Sequence, residues 1–440
     1  MSKAKLPNEI YHFLAEDEDA RVCKDIPESA CNEQPRSFLL VLLSLTLTKL
    51  GDSLVSARLV LPWMLSSLGA PAIFISALVP IRESLALLPQ LFVAQRLREQ
   101  PVRKWFWVAG SLGQAISLLL MVWVVSFTQG SALGWGVIIL LITFSLSRGV
   151  CSVTHKDVVG KTISKTRRGR LSGAAASMAG LLTLITALVI IFMPDVNGQG
   201  WLFATLLTAG AVLWLLAAFS YAGIPEVAGS TEGGGNAVSE ALRSVSLLWR
   251  NRTFGHFVLS RALLVAAAFA IPYLVVLIQR QGGAELASLG ALMLASGLAG
   301  LLAGRFWGRW SDQASHRVMA AASMMSTLVL LVAIAINAWA TDWLASQWVA
   351  GALLFISAVA HQGARVGRKT YLVDMANQDN RAQLTAVSNT LMGIVLLLGI
   401  LLGWLDAQLG VVSVLWVLVG VGIAAFIAVL ALPDVSGSSD

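Results

Sequence analysis

Two carboxylates and several cations lie inside stretches of sequence that are otherwise apolar. Asp52 shares one such block with Lys49 and Arg58, Glu83 shares the next with Arg82, and Arg148 and Arg261 lie in later blocks. A carboxyl group shielded from water holds its proton more tightly, and a nearby cation loosens it. Such a group can take up a proton in one setting and give it up in another. Arginine supplies a planar fork of donors suited to a carboxylate or phosphate. Lys49, Asp52 and Ser56 share a helical face, as do Ser145, Arg148, Ser152 and His155, and as do His361, Arg365 and Arg368.

Two readings of these residues stay open. In the first, Asp52 and Glu83 carry protons, while Arg148, Arg82, Lys49, Arg261, His361 and Asn389 bind an anionic solute or pair with an emptied carboxylate. In the second, Lys49–Asp52 and Arg82–Glu83 are static ion pairs and His361 is a buried, hydrogen-bonded histidine. Adjacent helical residues point about 100° apart, so Arg82 and Glu83 do not face one spot. Arg58 is expected to snorkel outward, and Arg261 fits snorkelling as well as solute contact. Pro272, Tyr273 and Asn389 are gate or cavity candidates.

Charged groups are costly in such blocks only if the blocks lie in lipid, and composition says that they do. The chain has 440 residues, 57% of them hydrophobic and 12% charged, with a mean hydropathy of +0.75. Soluble proteins carry about 25% charged residues. The apolar runs have the length that crosses a roughly 30 Å hydrocarbon core as a helix. Membrane spans are expected at 37–61, 72–96, 104–127, 133–157, 171–193, 201–223, 254–279, 286–308, 317–338, 343–368, 383–406 and 411–432. An ionisable residue there costs about 2.5–3.5 kcal/mol on insertion scales, so each one asks for a reason.

The connectors alternate in charge. One set holds Arg96, Arg98, Arg103 and Lys104, then Lys156, Lys161, Lys165, Arg167, Arg168 and Arg170, then Arg243, Arg250 and Arg252, then Arg309 and Arg317, then Arg368, Lys369 and Arg381. The other set holds almost nothing basic except Arg280. By the positive-inside bias, both termini are expected in the cytoplasm. The formal net charge of +7 is therefore a topology signal and no sign of a nucleic-acid partner.

The chain divides into a tail at 1–36 with eight acidic and five basic residues, a six-span half at 37–223, a linker at 224–253, a second half at 254–432 and a short tail at 433–440. The linker holds a Gly/Ser-rich stretch, then an amphipathic helix expected at 238–249 on the membrane surface. The halves repeat weakly: at an offset of 214, Arg103 falls on Arg317, Gly149 on Gly363 and Arg167 on Arg381. Cys23 and Cys31 are expected as free thiols in a cytoplasmic tail. The first apolar block is too long for a cleavable signal. The five histidines lack metal-ligand spacing, Gly160, Lys161 and Thr162 follow an apolar helix without a phosphate loop's first glycine, and no nucleophile–base pattern occurs. No cofactor, metal or enzymatic activity is expected.

Gly308, Asp312 and Arg317, with His316 beside them, lie between the eighth and ninth spans. This stretch resembles the loop motif of the major facilitator superfamily, in which a glycine lets helices approach and an aspartate beside cations acts as a conformational latch. Gln313 and Ser315 depart from the family's usual Arg and Gly. In the first half Arg98 stands where the acid belongs, with Glu99 as a substitute. Ser147, Arg148 and Gly149 resemble the fourth span of proton-linked members, and Arg168 and Arg170 resemble the basic connector before the fifth span. That fifth span lacks the Gly-Pro motif usual in drug/proton antiporters.

The resemblance implies an all-α membrane protein of twelve transmembrane helices in two pseudo-symmetric bundles. It further implies proton-coupled secondary transport of a small solute by alternating access. The excess of buried cations favours an anionic solute. Efflux of drugs or amphiphilic metabolites, and a non-transporting sensor or assembly partner, are the alternatives. Lipid, protons and a small molecule are the expected partners, the expected state is a monomer, and the expected location is a bacterial inner membrane.

Overall fold

The computed structural model describes residues 26–88, 93, 96–97, 99–192, 200–229, 231, 246–282, 286–376 and 381–435. Among the described residues there is no strand. Among them, eleven helices are long and apolar enough to cross a bilayer: Gln34–Leu54, Lys104–Phe127, Gly130–Thr162, Arg167–Ile191, Gly200–Ala222, Arg252–Gln281, Ser288–Ser311, Gln313–Trp339, Gln347–Met375, Val387–Leu409 and Val411–Leu430. The second expected span is present as Ala72–Leu87, after which most residues up to 98 lie outside the described set. Each expected span thus has its helix. Residues 1–25 of the acidic tail lie outside the described residues, as does most of the expected linker helix, of which Leu247–Arg250 is described.

The outer surface is that of a protein built for lipid. Large apolar side chains such as Leu120, Ile139, Leu181 and Leu302 stand exposed. Tryptophans collect at the rims, with Trp339 and Trp348 exposed by 87% and 89% at the ends of the ninth and tenth spans. Amphipathic indoles favour the boundary between lipid and water.

Breaks in three spans set the shape of the interior. The first span divides into Gln34–Leu54 and Val60–Ser67. Pro62 explains the gap, because its ring clashes with the carbonyl four residues earlier, that of Arg58. The seventh span divides into Arg252–Leu263 and Ala266–Gly282, and the eleventh passes through a short 3₁₀ turn at Leu398–Ile400. The eighth and ninth spans are separated only by non-helical backbone at Ala314 (φ −158°, ψ 76°).

The apolar core shows how the halves meet. One cluster combines Leu61, Met64, Phe74 and Leu78 of the first half with Phe269, Tyr273, Leu292 and Leu396 of the second. Toward the basic connectors the cores separate. Phe38, Trp107, Val158 and Tyr221 pack among themselves, and Phe254, Phe257, Met319 and Tyr371 do so in the other half. Glycines trace the same pattern. A Cβ on Gly290 of the eighth span would stand 2.9 Å from the Ile191 backbone nitrogen of the fifth, and one on Gly403 of the eleventh would collide with Ser76 Oγ of the second. The halves are therefore closed at the end poor in charge and part toward the basic connectors.

Cys31 is disulfide-bonded, which corrects the expectation of a free thiol there; Cys23 lies outside the described residues.

Candidate functional site

Asp52 occupies the last turn of the first helix, just ahead of the break at Val55. Its two oxygens serve two different spans. Arg82 of the second span donates to Oδ1 at 2.9 Å, and Arg148 of the fourth donates to Oδ2 at 2.5 Å. Each guanidinium is also backed by an aromatic face: Arg82 lies 4.9 Å from the Phe144 ring centroid and Arg148 lies 5.2 Å from that of Trp214. The approach is possible because Gly51 precedes Asp52, and a Cβ there would already be 3.2 Å from Trp214 Nε1. One carboxylate thus ties three spans, and through Trp214 a fourth.

The second carboxylate pairs differently from either sequence reading. Glu83 Oε1 accepts from Arg58 Nη2 at 2.7 Å. Arg58 does not snorkel outward. The break that Pro62 imposes on the first span turns the Arg58 side chain inward toward the second. The static pairs considered from sequence, Lys49–Asp52 and Arg82–Glu83, are replaced by Arg82–Asp52 and Arg58–Glu83. Proximity across helices decides the pairing here, since neighbours along one helix diverge around its axis. Lys49 is half-buried, and its ammonium group makes no hydrogen bond or ion pair among the described residues.

The second half contributes cations without acids at this depth. Arg261 is buried at the end of the first helix of the seventh span. It donates to Ser388 Oγ at 2.6 Å and Asn389 Oδ1 at 2.9 Å in the eleventh span. Those partners are neutral, so its charge stays uncompensated among the described residues. His361 is buried, and its Nε2 has no hydrogen-bond partner among them. Of the expected contributors, Asn389 thus holds Arg261, and His361 sits on the tenth span. Tyr273 is buried, with its hydroxyl unsatisfied among the described residues.

Of the expected latch, Gly308 stands clear of neighbours and Arg317 is exposed. The Asp312 side chain lies outside the described residues, as does Arg98. Arg168 caps the end of the fourth span instead, donating to the carbonyls of Ile163 and Gly160 at 2.9 Å each. Arg170 is exposed. Glu99 forms an exposed pair with Arg96, at 3.6 Å.

The strongest charge cluster at the basic end is one that sequence reasoning misses. Asp157 pairs with Arg103 and, at 3.2 Å, with Lys161. Glu226, its side chain wholly buried, accepts from Lys161 Nζ at 2.6 Å and from the backbone N–H groups of Arg103 and Lys104. Spans three, four and six are thereby clamped together. At the opposite end Arg280 grips Asp406 through both oxygens, at 2.8 and 3.0 Å, joining spans seven and eleven. A carboxylate within a basic connector is the sequence signal for Asp157 and Glu226, and it reads equally well as a solvated charge.

No protein-family model and no curated protein sequence matches the chain. Solved structures do match in shape. A mutant of the nucleoside transporter NupG aligns with a TM-score of 0.68 at 12% identity, over 90% of this chain and 99% of that one. A D-xylose–proton symporter aligns at 0.66 and 14% identity, over 92% and 99%. A POT family transporter in complex with 5-aminolevulinic acid aligns at 0.67 and 11% identity, over 90% and 95%.

Proposed function

From the major facilitator fold that the chain has, we propose proton-coupled transport of a small anionic solute by alternating access of the two halves. The observation that carries this is the placement of Asp52, bonded to Arg82 and Arg148 beside a cleft open at one end. While ionised, Asp52 accepts from both guanidinium groups and cancels one of their two charges. Protonation removes that charge and frees two cations in a poorly hydrated space, where they attract an anion strongly. Proton and anion then bind favourably together, which is the thermodynamic requirement for symport. Glu83 with Arg58 is a second unit of the same kind. Fixed ion pairs alone would need no unpaired cations near them, yet Lys49 and Arg261 lack an acid among the described residues.

Vesicles with an imposed pH gradient test the reading. Wild-type protein accumulates the solute on the alkaline side. Combined Asp52→Asn, Glu83→Gln and Arg148→Ala substitutions abolish accumulation, and accumulation left intact in that variant would refute the site.

A further inference from the structure

Span ten carries charges that the proton-coupling site does not use. Gly363 and Gly367 seat this helix against its own half: a Cβ on Gly363 would stand 2.7 Å from the Trp307 ring, and one on Gly367 would stand 3.0 Å from the Ser315 carbonyl oxygen. At about 100° per residue, Arg365 lies roughly opposite both glycines and therefore faces the first half. Arg368 lies one turn further along, and His361 one turn back. Arg365 and Arg368 make no hydrogen bond and no ion pair among the described residues. They lie close enough to Arg58 and Glu83 of the other half to act on both electrostatically. Glu83 is already bonded to Arg58, so it does not neutralise them.

The two walls of the cleft therefore differ in kind. Arg58, Arg82 and Arg148 each donate to a carboxylate, the last two sharing Asp52. Arg365 and Arg368 are bare, and Arg261 behind them holds only neutral partners among the described residues. Bare cations on one wall repel Lys49 on the other, while the paired Arg58 and Glu83 offset each other, so an empty cleft resists closing at this level. A ligand that relieves the repulsion must bring more than one negative charge, because two guanidinium groups await a counter-ion. Guanidinium also favours planar or tetrahedral oxyanions, which it meets with paired hydrogen bonds.

Resting on the proposed anion transport, we infer that Arg365 and Arg368 form the binding site for a doubly charged oxyanion, a dicarboxylate or a phosphate monoester. The solute docks on span ten, and protonation of Asp52 in span one frees Arg82 and Arg148 to attract it. His361, with its buried and unpaired Nε2, is available at the inner edge of the same stripe for one further hydrogen bond.

Purified full-length protein in nanodiscs tests this by thermal stabilisation with four probes: succinate, glycerol phosphate, lactate and glycerol. Succinate and glycerol phosphate represent the two dianion chemistries, and the member that stabilises more identifies the class. The expected result is stabilisation by at least one dianion well beyond that by lactate, with none by glycerol. Arg365→Gln and Arg368→Gln each weaken the dianion's apparent affinity about tenfold or more, the size of a charge-assisted hydrogen bond. Arg365→Lys retains part of it, so a merely misfolded variant is recognised by loss in both. Equal or better stabilisation by lactate or glycerol, no stabilisation by either dianion, or undiminished affinity in both glutamine variants would overturn the assignment. Proton-driven flux of a monoanion or neutral solute with span ten neutralised would remove this site yet leave proton coupling at Asp52 standing. Dianion binding without any response to a pH gradient would do the reverse.

Discussion

Asp52 holds its place by two bonds to two spans, and the energetics of such a group are lopsided. Removing one member of a buried ion pair costs about 3–5 kcal/mol because the remaining charge is stranded, whereas removing all charges together costs far less. Asp52→Asn alone strands the Arg82 and Arg148 guanidinium groups and should therefore lower thermal stability in detergent markedly. Adding Arg148→Gln to it should recover part of the loss, with a coupling of about 1 kcal/mol or more. Strict additivity in that cycle would show that the short Arg148–Asp52 contact is energetically idle. The ionisable residues themselves are legible in the sequence, since any charge within an apolar run stands out. Their partners are not. Arg82 bonds to a residue thirty positions away and Arg58 to one twenty-five away, and nothing in local spacing distinguishes those partners from the nearer Glu83 and Asp52.

Helices are easier to read than their interiors. An apolar run long enough to cross a bilayer is a strong signal, and each expected span has a helix. Breaks are subtler. Pro62 lies inside an apparently continuous run and acts on the backbone at Arg58, which is why that side chain reaches Glu83. Span packing depends on glycines whose importance appears only with a partner in place. Gly290 meets backbone of the fifth span at the closed end, so Gly290→Leu should wedge that end apart and favour the opposite-facing state. In a background lacking native cysteines, Ser76→Cys is buried at the same end and should react slowly with an impermeant thiol reagent. The leucine change should speed that labelling severalfold; unchanged labelling would mean the contact is not part of the gate. Glu226 offers a contrasting test. Its buried carboxylate clamps Lys161 and two backbone N–H groups, so Glu226→Gln should lower the unfolding temperature by several degrees while leaving the Ser76→Cys labelling rate unaltered.

At the scale of the whole molecule, one apolar core joins the halves at the charge-poor end, while separate cores serve each half at the basic end. The interior thus parts toward the basic end. Its walls carry switchable carboxylate–arginine units on one side and bare arginines on the other, a division hidden from sequence because it appears only when two distant helices face each other. Weak internal repetition points to two halves, but their charges differ: the last turn before the break holds Asp52 in one and Arg261 in the other. The most direct measurement uses proteoliposomes loaded with the dianion that stabilises the protein best. Solute exchange at equal pH is compared with accumulation driven by a pH gradient, for wild type and for Asp52→Asn. The variant should keep exchange, because its neutral side chain mimics the protonated state, and should lose gradient-driven accumulation. Accumulation by Asp52→Asn matching that of wild type would contradict proton coupling through this carboxylate.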